Sequence, residues 1–259
     1  MLTFLFWNLS RKPLTGLVRH VAVEHGVDVV IMAESNVAEL PDFEFAPAQC
    51  EAVRVFTRFS PDLIKPVKES RRWSIRHLRL PGRESLLVAA AHLPSKLYIS
   101  AESQRTDQSV LARAIRGAED VVGHSRTVLI GDLNANPFEP GVVGAGDLNA
   151  VMTRSLAQRP GRTVNGEKCP HFYNPMWGHF GDRSDRYSGT YYYDRGEHVT
   201  YYWNVFDQVM LRSALLDRFD SGDLQMVTEV GGLDLLTDEG VPDQNVASDH
   251  LPLVFRIDI

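Results

Sequence analysis

Eight short apolar runs punctuate the chain: "LTFLFW", "VDVVIMA", "VRVFTRF", "WSIRHLRL", "SLLVAAA", "TVLIG", "VFDQVMLR" and "PLVFRIDI". Each is too short for a buried helix and rich in β-branched or aromatic residues, so each is expected to form a strand. Helical spacing appears between them. Leu14, Leu17, Val18 and Val21 share one face, and Gly26 stands where a helix C-terminal cap belongs. A second helix is expected from about residue 101 to 122, with Val110, Leu111, Ala114, Ile115 and Ala118 on its apolar face. Strands interleaved with helices imply an α/β class in which helices cover the sheet faces. No internal repeat or linker interrupts the pattern, so one domain over residues 1–259 is expected, and 44% apolar content suffices for one large core.

Charge narrows the function classes. A net charge of −6 gives no global basic field for nucleic acid. The basic residues Lys65, Lys68, Arg71, Arg72, Arg76, Arg79 and Arg83 are nevertheless clustered, opposed only by Glu69, and they form either a solvated strand face or a phosphate track. No run approaches the ~18 apolar residues that cross a bilayer. "MLTFLFWNLSRKP" lacks a basic leader and a small-residue cleavage site, so it reads as a first strand, and the cytoplasm is the expected compartment. The two cysteines, Cys50 and Cys169, sit in no disulfide framework and are expected as reduced thiols. One segment departs from the strand pattern. From about 139 to 202, glycines cluster and aromatic residues crowd into "HFYNPMWGHF", "YSGTYYY" and "VTYYW", an aromatic-rich insert expected to be a long loop. Cys169, His171 and His179 inside it match no common zinc spacing, and a loop packed by its own aromatics is expected there.

Most informative is what ends the strands. The first stops at Asn8, the second at Glu34, "LLVAAAH" at His92, and "VLIGDLNANP" at Asp132, Asn134 and Asn136. Asp207 lies inside "VFDQVML", while Asp249 and His250 precede the last strand. Each has an ordinary explanation: a turn-forming Asp or Asn, a surface acid, a core histidine, a buried acid with a structural partner. Together they are hard to dismiss, because ligands of open α/β sheets bind in the crevice at strand ends.

On "FWNL", "AES", "AAHLPS", "GDLNANP", "FDQV" and "SDHLP", in that order along nearly the whole chain, the sequence resembles the endonuclease/exonuclease/phosphatase superfamily. The resemblance implies a four-layer α/β sandwich, two mixed β-sheets packed face to face with helices on the outside. It implies a magnesium-dependent hydrolase of phosphodiester bonds, a nuclease first, with manganese a substitute metal. Phosphomonoesterases and lipid or inositol phosphoesterases share the fold, and a non-catalytic binding protein is the alternative of another class. The implied substrate is a phosphate ester, with DNA and RNA among the candidates; no protein partner is implied.

The resemblance also assigns roles residue by residue. Glu34 matches the metal-binding glutamate, Asn8 the amide beside it and Asp249 a further acid near the metal. Asp132 matches the aspartate that positions or deprotonates water, and Asn134 the amide that holds the phosphoryl group. His250 matches the phosphate-contacting histidine, and Asp207 the carboxylate paired with it. His92 resembles the general acid of the deoxyribonuclease-like branch, for which Glu51 is the orienting candidate. Arg72 is the candidate phosphate-contacting arginine, in competition with Arg71, and the surrounding motif departs from the nuclease pattern.

Overall fold

A computed structural model describes residues 1–159, 161–182, 187–196 and 198–259. All eight apolar runs form strands, and they divide into two mixed sheets. In the first sheet, Leu2–Asn8 is central, parallel to Val29–Ala33 and antiparallel to Leu253–Ile257. Val53–Thr57 pairs antiparallel with Val29–Ala33, and the short strands Gln225–Met226 and Glu44–Phe45 close the two edges. In the second sheet, Leu86–His92 is parallel to Thr127–Asp132, which is antiparallel to Asp207–Arg212. Trp73–Leu78 and Ile64–Glu69 extend one side of it, and Phe172–Tyr173 and Ala150–Val151 the other.

Side-chain alternation decides how the sheets stack, because a strand presents successive residues to opposite faces. Phe4, Phe6, Ile31, Val88, Ala90, Val128, Ile130, Val209 and Phe255, drawn from both sheets, share one buried cluster. The opposite face of the second sheet, with Ile75, Leu87, Ala89, Leu129 and Met210, packs with Leu111, Ile115 and Ala118 of the helix Ala101–Val122 in another. Val18, Val21 and Ala22 of the helix Thr15–Glu24 are buried against the first sheet's cluster. The result is the expected four-layer sandwich, and none of the described helices is long and apolar enough to cross a membrane.

The long helix runs where its periodicity placed it, with one correction. Val110 is exposed, and Gln104, Gln108 and Ala112 are buried instead. Ser100 caps its N-terminus by accepting the Ser103 N–H, and Gly123, at φ 77°, supplies the left-handed C-terminal cap. Gln104 explains the shifted face. Its side-chain amide donates to the Pro94 and Asn134 carbonyls, tying the helix to the loops after two of the strands that carry site residues.

The insert is the larger correction. Instead of a featureless loop it contributes Ala150–Val151 and Phe172–Tyr173 to the second sheet, plus two hairpins, Arg162–Val164 with Glu167–Cys169 and Tyr191–Tyr193 with Tyr202–Asn204. Arg212 anchors it. Its guanidinium lies 3.8 Å from the Phe172 ring centre, donates to the Pro170 and His171 carbonyls, and bonds Glu119 of the long helix at 2.8 Å. The basic run divides as well: Arg76 is buried, donating to the carbonyls of Ile64, Ala46 and Pro47, while Lys65, Arg71, Arg72, Arg79 and Arg83 remain exposed.

Candidate active site

Register brings the ionisable strand ends together. His92 lies opposite Asp132 in the parallel pair, and Asp132 lies opposite Asp207 in the antiparallel pair, so three adjacent strands deliver one row. In the other sheet Asn8 lies opposite Ala33, which places Glu34 one residue beyond the same strand end. A single residue slip in either sheet would send these side chains to the other face. Gly131 permits the approach, since a Cβ there would overlap the Ala91 carbonyl of the neighbouring strand.

Asp132 is held from both sides. Its Oδ2 accepts from the Asn8 side-chain amide at 2.9 Å, across the two sheets, and its Oδ1 accepts from the Asn134 backbone N–H at 2.8 Å. Asn134 has φ 48° and its side-chain amide donates to the Leu93 carbonyl. Here the turn chemistry of Asp and Asn serves the site, because the short side chains tolerate the left-handed turn that aims them. Asn136 braces the next segment, donating to Asn204 and accepting the Val205 N–H. Glu34 also adopts positive φ, 44°, a strained conformation for a residue of its size. Among the described residues its oxygens meet Arg11 at 3.4 Å and His92 Nε2 at 3.6 Å. His92 Nε2 is also 3.7 Å from Asp132.

Behind this row lies a buried pair. His250 Nδ1 is 2.7 Å from Asp207 Oδ2, with the His250 side chain 8% exposed and Asp207 fully enclosed. Burial disfavours charge on His250, but the Asp207 carboxylate at hydrogen-bond distance, with Asp132 and Asp249 nearby, outweighs it and holds the imidazolium up to about 10. Burial pushes the Asp207 carboxyl upward against the pull of the His250 charge and hydrogen bond, and Asp132 adds to the rise. Thr190 accepts the backbone N–H groups of Phe206 and Asp207, and the Tyr191 ring lies 4.7 Å from that of His250. Burial pushes the Tyr191 phenol up to about 12, with Asp249 adding to the shift.

These groups open on a cleft of about 770 Å³ whose lining includes Asn8, Glu34, Arg72, His92, Asp132, Asn134, Asp249 and His250. One sequence expectation fails here. Glu51 does not orient His92: 70% of its side chain is exposed, it bonds Arg71 at 2.9 Å, and it lies outside the cleft lining. Instead, the His92 backbone N–H donates to the Arg72 carbonyl and its ring faces Glu34 and Asp132. The insert's aromatics divide between the cleft and its surroundings. Tyr191, Tyr193 and Tyr201 line the cleft, whereas Tyr192 packs on Tyr202 and Trp203 outside it. Lys96, Tyr98 and Glu139 also line it, and no motif signalled them because exposure at a cleft rim leaves no periodicity.

Donor geometry gives one group. Asp132, Asp207 and His250 each offer an atom within 4.8 Å of the others, and among the described residues this is the one His/Cys/Asp/Glu group with that metal-holding geometry. Cys169, His171 and His179 are not part of it; the Cys169 thiol faces the Glu167 carbonyl and His171 meets Asn149. The acceptors of Asp132 and the inner nitrogen of His250 are already bonded within the protein. Asn8, Glu34 and Asp249 also line the cleft, with the Asn8 Oδ1 accepting the Ser10 N–H and the Asp249 Oδ1 the Ser248 hydroxyl, and oxygen donors of this kind suit a hard divalent cation.

No protein-family model matches the chain, and no curated protein matches it in sequence. Solved structures do match in fold. The endonuclease domain of TRAS1, a telomere-specific non-LTR retrotransposon, superposes with TM-score 0.59 at 14% identity, covering 100% of this chain and 99% of that one. An AP endonuclease from Archaeoglobus fulgidus gives 0.58 at 15% identity, covering 100% of both chains. The 3′ phosphatase NExo from Neisseria gives 0.57 at 14% identity, again covering 100% of both. The two sheets, the strand-end row and these likenesses agree, and the chain has the fold of the endonuclease/exonuclease/phosphatase superfamily.

Proposed function

We propose that the protein is a magnesium-dependent phosphodiesterase acting on nucleic acid or nucleotide phosphodiesters. The observation that carries this is the convergence of Asn8, Glu34, His92, Asp132, Asn134, Asp249 and His250 from both sheets on one cleft. Fold neighbours support it: the Neisseria phosphatase is bound to a product DNA hairpin, and a D. rerio TDP2 to a single-stranded DNA product.

Phosphodiesters resist hydrolysis because their charge repels nucleophiles and the alkoxide leaves poorly. Asp132, fixed by Asn8 and the Asn134 N–H, orients the attacking water and accepts its proton. One amide hydrogen of Asn134 holds Leu93, leaving the other for a phosphoryl oxygen. The outer nitrogen of the His250 imidazolium, backed by Asp207, is a cationic donor to the oxygens that gain charge. His92 protonates the leaving oxygen, and exposed Arg72 reaches the phosphate from the rim. Asn8, Glu34 and Asp249 would hold Mg²⁺, which when bound neutralises phosphoryl charge. Mn²⁺ offers the same hard chemistry. We place the enzyme in the cytoplasm, where the free thiols Cys50 and Cys169 stay reduced.

A panel of plasmid DNA, RNA, bis(p-nitrophenyl) phosphate and p-nitrophenyl phosphate, with Mg²⁺ or EDTA, tests this reading. Diesters should be cleaved only with metal. Turnover of the monoester alone would make the protein a phosphomonoesterase, and binding without turnover of any of them would make it a binding protein.

A further inference from the structure

The cleft mouth is unusually apolar for solvent-facing surface. Leu97 is 64% and Tyr98 85% exposed in the loop after His92, and Val199 is 70% and Tyr201 55% exposed in the insert; all four line the cleft. Large side chains left in water beside a polar site mark a place that something covers. The two tyrosines are held differently, Tyr98 through its backbone and Tyr201 through its ring. The Tyr98 N–H donates to the Ser95 carbonyl in a tight turn, and the Tyr201 ring rests 5.3 Å from Phe138, which itself touches Trp177 and Phe180.

Charge limits what the rest of the substrate can be. The cationic Arg and Lys side chains among the described lining residues are Arg11, Arg72 and Lys96; Arg11 faces Glu34 at 3.4 Å and Lys96 bonds Glu139 at 2.6 Å. Arg72 alone of these has no acidic partner of this kind. A groove that tracks a polynucleotide backbone needs a row of cations, and this lining supplies enough for one or two phosphates. The rings keep polar company in Ser95, Asn136, Thr200 and Asn204, which suits a flat group with polar edges better than an alkyl chain.

We propose that Tyr98 and Tyr201 grip one aromatic base at the cleft mouth, so that the substrate is a short phosphodiester or a strand end with a single base beside the scissile phosphate. This rests on the phosphodiesterase reading above and narrows it by substrate class. Stacking on an exposed ring is sequence-tolerant, because every base has a π-face. Specificity then comes from size and from the aromatic group, with no base-edge code.

The test uses thymidine 5′-(p-nitrophenyl) phosphate and methyl p-nitrophenyl phosphate, which share a reacting centre and differ by the nucleoside. Calorimetric titration with thymidine 5′-monophosphate and Mg²⁺ adds a readout independent of turnover. Tyr98→Ala and Tyr201→Ala should each raise KM for the thymidine ester by roughly 5-fold or more with kcat little changed, leave the methyl ester constants in place, and weaken nucleotide binding by a similar factor. For a single-stranded oligonucleotide, log kcat/KM should fall with log salt at a slope of about −1, as for one or two phosphates. If neither ester is hydrolysed, the phosphodiesterase reading fails and the nucleotide titration still decides the grip. Unchanged nucleotide binding in both variants overturns it. So do equal losses on both esters with lowered melting temperature, faster turnover of hexadecyl p-nitrophenyl phosphate than of the thymidine ester, or a salt slope steeper than about −4.

Discussion

At the scale of single residues, the site depends on charges buried at the base of the cleft and fixed there by hydrogen bonds. Asp132 is buried and bonded through both carboxylate oxygens, so Asp132→Asn should leave the fold standing while lowering kcat by roughly 10²–10⁴, measured on whichever diester is turned over best. His250→Ala is a different substitution, because it strands the fully enclosed Asp207 without its partner. Removing one member of a buried pair costs about 3–5 kcal/mol, and urea unfolding near neutral pH should show a loss of that order. The sign of the pH dependence follows from the raised His250 pKa. Its stabilising contribution is complete below the unfolded value of 6.5 and is lost as pH rises through about 10. In metal-free buffer, unfolding free energy should therefore decline between those limits, and the decline should vanish in His250→Gln; an unchanged slope would remove the pair from the account. Sequence motifs singled out Asp132, Asn134, Asp207 and His250, which the fold brings together, because strand ends and turn residues leave local signatures. They misassigned Glu51, since no local pattern tells an exposed acid bonded to Arg71 from one facing His92.

At the scale of elements, register does what no single side chain can. His92, Asp132 and Asp207 form a row because three strands are aligned, and the tight spacing at Gly131 lets the central strand approach Ala91. Gly131→Ala should lower stability by about 2 kcal/mol or more and disturb the row, read as a lower melting temperature together with lost activity. A wild-type melting temperature would show that the strands have room there. The major strands were legible because apolar runs of five to seven residues repeat an unambiguous pattern. Ile64–Glu69 was not, because it is a polar edge strand interrupted by Pro66, with a register shift between Pro66 and Lys68. Two-residue strands such as Ala150–Val151 and Phe172–Tyr173 are fixed by pairing, not by their own composition.

At the scale of the whole molecule, two sheets stacked face to face turn separate strand ends into one cleft, with Asn8 of the first sheet bonded to Asp132 of the second. The α/β class was legible in the apolar runs and the helix spacing, whereas the four-layer sandwich followed from the family resemblance. The cleft walls were not, since Lys96, Tyr98 and Glu139 acquire their positions only when loops from distant segments meet. The central claim is that this cleft hydrolyses phosphodiesters with a divalent cation held at Glu34. Its most direct test is the rate of bis(p-nitrophenyl) phosphate hydrolysis against Mg²⁺ concentration for the wild type and Glu34→Gln, with folding checked by circular dichroism. The substitution keeps the shape and removes a charged oxygen donor, so half-maximal activation should require at least roughly 10-fold more Mg²⁺, with part of the rate restored at saturation. Identical activation curves for the two proteins, or full wild-type activity in EDTA, would contradict the claim.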